Sequence, residues 1–240
     1  MALMLITDLD QTLVDILGHV VECHRTTLAA RGDHRSHARI RKEARYGDLR
    51  GLRTSLGIDD RWFYGPEGVI RWRPDIRKSI KEGFVREIVD ARAMLDKARA
   101  LGYRIGIVTN GDGYETTHKL TIIGIKHRAD RVSGLADAVV HGDEVPARKP
   151  STAPALLALE RLEATRNDRV LFLGDSHHDT GCAAGLRALG WRVTSILYDH
   201  YGGTYARTVP GWEHRARTHR GVMRLLHRFA QDDGGSESDC

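Results

Sequence analysis

The chain has 240 residues, of which 41% are hydrophobic and 29% charged, with a formal net charge of +5 and a pI near 9.2. This composition excludes a disordered or fibrous protein, and the length is enough for a core domain with a smaller second one. No apolar run approaches the roughly 18 residues of a membrane-spanning helix, and residues 1–7 lack the basic start of a signal peptide. The three cysteines lie far apart, which argues against a disulfide framework or structural zinc and favours a cytoplasmic protein.

An apolar segment at the start of the chain leads directly into two acidic residues. Residues 3–7 are predicted to form a strand buried on both faces of a parallel sheet, and Asp8 and Asp10 follow it. Side chains two residues apart in an extended segment project to the same side, so both carboxylates would face one pocket beyond the strand. Their repulsion points to a divalent metal or an acid/base pair, and the alternative is a turn that caps the next helix.

Residues 14 to about 87 show no strand alternation and are predicted to be helical. A helix is expected over residues 14–31, and the strongly basic residues 34–53 fit one or two short amphipathic helices. Aromatic side chains follow at Trp62, Phe63, Tyr64 and Trp72. We therefore expect a small all-helical domain inserted after the first strand.

Four helix–strand units come next and predict a parallel sheet. Gly102 and Gly190 stand where a left-handed glycine would end the first and fourth helices. The helices are predicted over residues 85–100, 114–123, 153–163 and 180–189, and the strands over 104–108, 138–141, 170–173 and 193–197. Parallel strands joined by right-handed helical crossovers form a doubly wound α/β sheet.

The domain organisation follows from these elements. Residues 1–14 and 89–200 are predicted to form the core domain, and residues 15–88 the helical domain. Residues 201–240 are predicted to be a C-terminal extension with one amphipathic stretch at 221–230. The last ten or so residues are acidic and small, which is typical of disorder.

Polar residues follow each predicted strand of the core. Because ligands of open α/β sheets bind beyond the carboxyl ends of the strands, we expect these residues to converge on one site. They are Asp8 and Asp10; Thr109, Asn110 and Gly111; Lys149; and Asp175 and Asp179.

The order of these residues closely resembles the four motifs of the haloacid dehalogenase superfamily. The motifs correspond here to Asp8-Leu9-Asp10-Gln11-Thr12, to Thr109 at a strand end, to Lys149-Pro150, and to Gly174-Asp175 through Asp179. The resemblance covers residues 1–12 and roughly 89–198. The helical insertion lies where that superfamily places its C1-type cap. Gln11 departs from the glycine that is common in the family at this position, so the backbone there must be tolerant.

The resemblance implies a Mg²⁺-dependent phosphatase. Asp8 would be the nucleophile, and Asp10 would protonate the leaving oxygen and later deprotonate water. Thr109 and Lys149 would hold the phosphoryl oxygens, with Asn110 and Gly111 beside them in the substrate-binding set. Mg²⁺ would lie between Asp8, the backbone carbonyl of Asp10 and Asp175, with Asp179 holding water or Lys149.

Other features bear on the substrate. Asp10 favours phosphoryl chemistry, since the superfamily's dehalogenases lack it. The pattern of Thr109-Asn110-Gly111 with Lys119 and Gly124-Ile125 resembles the branch that contains pyrimidine 5′-nucleotidases and acylneuraminate-phosphate phosphatases. We expect a small phosphorylated metabolite, of the nucleotide or sugar phosphate class. Selectivity would come from the cap, with at least one substrate contact from Arg35, Arg39, Arg41 or Arg45.

The sequence leaves two alternative functions open. A phosphomutase of the same superfamily would use the same residues and return the phosphoryl group to an intermediate. A nucleic-acid-binding or interaction protein would fit the basic pI. We expect no nucleic-acid partner, because a pure binding protein has no need of Asp10, and the sequence predicts no particular oligomeric state.

Overall fold

The structure of the protein is a computed structural model that describes residues 1–29, 32–44, 52, 55–57, 75–128, 131–200 and 210–231. The chain divides into two compact units. The core unit comprises Met1–Val14, Glu87–Gly202 and Val209–Cys240, and the insertion unit comprises Asp15–Arg86 and Gly203–Thr208. The chain thus crosses between the units after residues 14 and 86, where the sequence predicted crossings after residues 14 and 88.

A six-stranded parallel sheet forms the centre of the core unit. The strands of the described residues are β1 Leu3–Thr7, β2 Val14–Asp15, β3 Arg86–Glu87, β4 Tyr103–Val108, β5 Lys126–Arg128, β6 Arg131–Ser133, β7 Ala138–Val140, β8 Arg169–Gly174, β9 Arg192–Tyr198 and β10 His214–Ala216. The order in the sheet is β10-β9-β8-β1-β4-β7, and Leu3 of β1 is in register with Tyr103 of β4 and Arg169 of β8. Two short pairs, β2 with β3 and β5 with β6, lie outside this sheet.

Helices pack against this sheet and complete the α/β fold that the sequence predicted. Met4, Ile6 and Phe172 of the central strands are buried in one cluster with alanine and leucine side chains of the helices Ala153–Arg161 and His177–Ala188. Such continuous apolar strands are typical of parallel sheets with both faces covered. The helices are α1 Leu17–Ala29, α2 His37–Ala44, α3 Ile76–Lys81, α4 Ala91–Ala100, α5 Gly113–Ile122, α6 Ala153–Arg161, α7 His177–Ala188 and α8 His219–Gln231.

Two helices of the core unit begin at least three residues from their predicted starts, each for a local reason. The helix predicted over residues 85–100 begins only at Ala91, because Asp90 has a left-handed φ of 66° and residues 86–87 pair with residues 14–15 as strands. The expectation that residues 14–87 contain no strand is therefore also wrong at both ends. The helix predicted from residue 180 begins earlier, at His177, where Ser176 and Asp179 form a capping box.

The C-terminal segment belongs to the core unit. Its strand β10 adds a sixth strand to the sheet beside β9, and its helix α8 is tied to the strands by side chains. Tyr103 Oη donates to the Leu226 carbonyl at 2.9 Å, and Arg169 Nη1 donates to the Phe229 carbonyl at 2.9 Å. The amphipathic stretch predicted over residues 221–230 is confirmed by α8, whereas the predicted extension over residues 201–240 missed the strand β10. Its predicted disordered end lies outside the described residues.

The first residue of α8 holds two distant backbone segments. His219 is fully buried, with Nε2 2.9 Å from the Thr12 carbonyl and Nδ1 2.9 Å from the Val89 carbonyl. Its ring stacks on Tyr198 with centroids 4.5 Å apart. Burial lowers the pKa of His219, although both carbonyls favour a protonated ring. Since a neutral imidazole has one N–H, it can donate to only one of the two carbonyls at a time.

The insertion unit has its own apolar core. Leu17, Val21 and Leu28 of α1 pack with Ile40 of α2 and with further buried leucines. Arg35, one of the predicted substrate contacts, donates to the Leu56 carbonyl at 2.7 Å and pairs with Asp33 at 2.9 Å. Arg45 and the predicted aromatic cluster, Trp62, Phe63, Tyr64 and Trp72, lie outside the described residues. Among the helices described in the two units, none has the length and apolarity to cross a membrane.

Candidate active site

The predicted site residues lie at the carboxyl ends of the central strands. Asp8 follows β1, Thr109 follows β4, and Asp175 follows β8, while Lys149 lies in the loop between β7 and α6. The Asp8 amide donates to the Leu173 carbonyl at 2.8 Å, which joins the end of β1 to the end of β8. Parallel strands in register bring their carboxyl ends to one edge of the sheet, which explains why these sequence-distant residues lie close together.

Lys149 is the cationic partner of the Asp8 carboxylate. Its Nζ donates to Asp8 Oδ1 at 2.5 Å, to Asp179 Oδ1 at 2.7 Å and to the Val108 carbonyl at 2.7 Å. These three acceptors use the three N–H groups of the ammonium. Because the Lys149 and Asp8 side chains are only 2% and 8% exposed, the ion pair is buried and its geometry is held by packing as well as by charge.

Asp179 is fixed by the start of its own helix. Its Oδ2 accepts from the Ser176 hydroxyl at 2.6 Å and from the Ser176 amide at 3.1 Å. A Cβ at Gly174 would lie 2.4 Å from Asp179 Cγ, so only glycine leaves room for this carboxylate. Both Asp179 oxygens are therefore already engaged, Oδ1 by Lys149 and Oδ2 by Ser176.

A group of three carboxylates marks the candidate metal site. One ligand oxygen from each of Asp8, Asp175 and Asp179 lies within 4.8 Å of the others. Burial, together with the neighbouring carboxylates, raises the pKa of Asp8 to about 7 despite Lys149. Burial and the charges of Asp8 and Asp179 likewise raise the pKa of Asp175 well above its usual range. Oxygen ligands that repel one another in this way suit a hard divalent cation.

Asp10 is held by a different lysine. Lys119 Nζ of α5 lies 2.7 Å from Asp10 Oδ1 and 2.9 Å from Oδ2. The Lys119 side chain is 2% exposed, whereas that of Asp10 is 22% exposed. Burial opposes the charged form of Lys119, but Asp10 and Glu115 outweigh it and raise the pKa of Lys119. The Asp10 carboxylate is thus open to solvent on one side and backed by a buried ammonium on the other.

Thr109 and Asn110, directly after β4, contact Asp10 and the Lys149 backbone respectively. The Thr109 hydroxyl donates to Asp10 Oδ2 at 3.3 Å and accepts from the Gly111 amide at 3.0 Å. The Asn110 side chain exchanges two hydrogen bonds with the Lys149 backbone, at 2.8 and 2.9 Å. In this arrangement Asn110 positions the loop that carries Lys149.

The backbone between the two aspartates and the next strand is unusual. Gln11 has a φ of 61°, in the left-handed region that favours glycine. Its amide donates to the Val14 carbonyl at 2.7 Å, which closes a tight turn directly after Asp10. The departure from glycine noted in the sequence therefore falls on a position where glycine would be less strained.

Comparison with known proteins identifies the family. A sequence model described as haloacid dehalogenase-like hydrolase matches residues 5–190, which is most of the chain. The chain belongs to the haloacid dehalogenase-like hydrolase family. The matched region begins within β1 of this hydrolase and ends just past α7, so β9, β10 and α8 lie wholly beyond it.

Named relatives of this haloacid dehalogenase-like hydrolase are similar over part of their length. A phosphoglycolate phosphatase of Cereibacter sphaeroides is 38% identical over 100 residues, which are 40% of this chain and 41% of the relative. One of Nitrosospira multiformis is 36% identical over 121 residues, 48% of each chain. Pyrophosphatase PpaX of Bacillus mycoides is 32% identical over 48% of this chain and 51% of its own. The chain thus spans about half the length of the curated relatives it matches.

Solved structures share the fold over nearly the whole chain. A phosphatase of the same superfamily from Thermococcus onnurineus has a TM-score of 0.62 at 19% identity, covering 94% of this chain and 98% of its own. A family hydrolase from Deinococcus radiodurans, with bound phosphate and sodium, has a TM-score of 0.63 at 19% identity, covering 95% and 96%. At this identity the likeness concerns the fold.

The structure brings together the residues that the sequence singled out, and it adds two, Lys119 and Ser176. The side chains of Asp8, Lys149, Asp175 and Asp179 lie together, and those of Asp10 and Thr109 lie in contact with each other. The sequence predicts no structural role for Lys119 or Ser176. The spacing of Lys119 from Thr109-Asn110-Gly111 is the one signal that could place it beside Asp10.

Proposed function

We propose that the protein is a phosphatase that hydrolyses a small phosphorylated metabolite through an aspartyl-phosphate intermediate on Asp8. The observation that carries this proposal is the position of Asp8 at the end of β1, in contact with Lys149 and close to the carboxylates of Asp175 and Asp179. Phosphate monoesters hydrolyse extremely slowly unaided, and a carboxylate nucleophile divides the reaction into two easier steps. Family membership and relatives named as phosphatases support the same chemistry.

In the first step an Asp8 carboxylate oxygen forms a bond to phosphorus. The bond between phosphorus and the leaving oxygen breaks, and its electron pair stays on that oxygen. Asp10 supplies the proton that the leaving oxygen takes up. Asp10 suits this role because its carboxyl group is partly exposed and lies two residues after Asp8.

In the second step water hydrolyses the aspartyl phosphate. Asp10, now a carboxylate, takes a proton from the attacking water, whose oxygen forms a bond to phosphorus while the bond to Asp8 breaks. Inorganic phosphate leaves and both aspartates return to their initial states. Thr109 and Lys149 would hold the phosphoryl oxygens in both steps, in exchange for the contacts they make with Asp10 and Asp8.

The residues present fit a Mg²⁺ ion. Asp8 and Asp175 offer carboxylate oxygens close together, and the backbone carbonyl of Asp10 is proposed as a third ligand. Asp179 fits a supporting role, since Lys149 and Ser176 engage both of its oxygens. The cation, when bound, would offset the negative charge that collects as the phosphoryl group approaches Asp8.

The substrate class is proposed as a nucleotide or sugar phosphate, selected by a C1-type cap in the insertion unit. Relatives named phosphoglycolate phosphatase and pyrophosphatase add phosphoglycolate and pyrophosphate to the compounds worth testing. Arg39 and Arg41 of α2 are the stronger of the proposed substrate contacts, because Arg35 is engaged within the insertion unit by Asp33 and the Leu56 carbonyl.

The test is a phosphate-release screen of the purified protein with Mg²⁺ over nucleotides, sugar phosphates, phosphoglycolate and pyrophosphate. We expect turnover of at least one compound, and loss of that turnover in Asp8→Asn. A parallel series with a sugar bisphosphate activator separates hydrolysis from mutase activity. Failure of every compound to release phosphate, or an Asp8→Asn variant with full activity, would contradict the proposal.

A further inference from the structure

A buried lysine that belongs to none of the four family motifs makes the closest contacts to Asp10. The Lys119 ammonium lies 2.7 and 2.9 Å from the two Asp10 oxygens, but 3.7 Å from Glu115 on its own helix. Glu115 stands four residues before Lys119 and is the local partner that a helix offers. The shorter distances to Asp10, over 109 positions of sequence, show where the ammonium is directed.

The surroundings of Lys119 are built to admit its ammonium. A Cβ at Gly111 would lie 3.3 Å from Lys119 Nζ and 3.4 Å from both Thr109 Oγ1 and Thr116 Oγ1. Gly111 does not have a positive φ, so its backbone conformation alone would permit a side chain. Room for Lys119 is therefore a physical reason for glycine at this position, and it connects two parts of the Thr109-Asn110-Gly111…Lys119 pattern.

We propose that Lys119 is the positioning residue for Asp10, holding its carboxyl group in the orientation from which it gives a proton to the leaving oxygen. This inference rests on the proposed phosphatase function. Lys119 does not reach the reacting atoms itself, because its side chain is 2% exposed and Asp10 lies at its end. It acts through Asp10 alone, whereas Lys149 acts on Asp8 and Asp179.

The proposal makes a specific claim about leaving groups. An alkoxide is a poor leaving group and needs a proton as the bond to phosphorus breaks, whereas p-nitrophenolate leaves without one. Loss of Lys119 should therefore harm the hydrolysis of alkyl phosphates and spare that of p-nitrophenyl phosphate. A residue that only stabilised the fold would affect both substrates alike.

The experiment compares Lys119→Met with the wild-type protein, measuring kcat/KM for an alkyl phosphate substrate and for p-nitrophenyl phosphate. This parameter reports the first phosphoryl transfer even if the second step limits kcat. We expect a fall of about 100-fold for the alkyl phosphate and less than about fivefold for p-nitrophenyl phosphate. Competitive inhibition by inorganic phosphate should stay within about twofold of wild type, since Lys119 does not touch the phosphoryl group. An equal fall for both substrates would overturn the proposal.

Two further variants keep the test decisive. Glu115→Gln removes the other carboxylate near Lys119 without touching Asp10, and both substrates should stay within about threefold of wild type. Gly111→Ala crowds Lys119 Nζ and keeps its charge, so it should give a weaker form of the same leaving-group difference. If Lys119→Met fails to fold in a circular dichroism melt, the Gly111→Ala result decides, and equal effects on both substrates there would overturn the proposal.

A double variant distinguishes this inference from the proposed function. If Lys119 acts through Asp10, Lys119→Met should cost little more in a protein that already carries Asp10→Asn. Additive losses would refute the positioning role and leave the phosphatase proposal intact. Absence of wild-type turnover, or activity that survives Asp8→Asn, would instead refute the phosphatase proposal.

Discussion

Asp8 and Asp10 stand two residues apart, yet different parts of the core unit hold them in different ways. Asp8 is 8% exposed, pairs with Lys149 from the loop after β7, and lies in a group of three carboxylates. Asp10 is 22% exposed, and both its oxygens contact Lys119 from α5. The buried Asp8 carboxylate, close to two others, suits a nucleophile beside a cation. The more exposed Asp10, which contacts Lys119, suits proton transfer to a leaving group or to water. The difference in surroundings, rather than in residue type, distinguishes the two roles proposed for these aspartates.

The largest expected effect is the loss of turnover when Asp8 is replaced. Asp8→Asn keeps the shape of the side chain but removes the nucleophilic carboxylate, so turnover should fall by at least about 10⁴-fold for every substrate. Phosphate release from both an alkyl phosphate and p-nitrophenyl phosphate measures it. Residual activity above a few per cent of wild type would mean that Asp8 is not the nucleophile and that the contrast with Asp10 is mistaken.

The corresponding change at Asp10 should affect two substrates differently, according to their leaving groups. Asp10→Asn cannot donate a proton, so kcat/KM should fall about 10²- to 10⁴-fold for an alkyl phosphate. The loss for p-nitrophenyl phosphate should be much smaller, because that leaving group needs no proton. Equal losses of kcat/KM for the two substrates are the result expected for Asp8→Asn. The same result for Asp10→Asn would contradict a separate role for Asp10.

Removal of the metal should also distinguish the proposed carboxylate ligands near Asp8 from the Asp10 side chain. Chelation should abolish turnover and Mg²⁺ should restore it, and a saturating excess of about 100 times Kd should stabilise the folded protein by about 3 kcal/mol. In thermal melts this shift should persist in Asp10→Asn, whose backbone carbonyl remains, and disappear in Asp175→Asn. Turnover that is insensitive to chelator would count against the assignment of the metal to the Asp8 side.

The smallest effect concerns the support of Asp179. Ser176→Ala removes one of the two hydrogen bonds to Asp179 Oδ2 and keeps the backbone one. The loss should be about 1 kcal/mol, or about 2–4 °C in Tm, with Mg²⁺ dependence retained. Differential scanning calorimetry measures it, and an unchanged Tm would show that the backbone amide alone suffices to hold Asp179.

The parallel core and the Asp8 side of the site could be predicted from sequence because their signals are local. The central strands β1, β7 and β8 are largely apolar, and Asp8, Thr109 and Asp175 directly follow strand ends, so the geometry of a parallel sheet gathers them, with Lys149 in the loop after β7. The start of α4 could not be predicted in this way, because it depends on the left-handed backbone at Asp90 and on pairing between β2 and β3.

The pairing of Lys119 with Asp10 and the place of the last segment were not predictable by the same reasoning. Lys119 lies within a helix, where a lysine is usually solvated, and its burial depends on contacts 109 residues away. The strand β10 has three residues, too few for a periodic signal, and its partner β9 defines it. Tertiary pairing decides both, and a single sequence gives no direct measure of tertiary pairing.

The link from His219 to Thr12 has a consequence for how the protein is made. The two residues are 207 positions apart, and Thr12 follows the first aspartates by only a few residues. At about 5–20 residues per second, synthesis of the intervening chain takes roughly 10–40 s. The acids at positions 8 and 10 therefore leave the ribosome long before the imidazole that anchors the turn behind them. A growing chain therefore exposes both carboxylates before the contact between His219 and the turn that follows them can form.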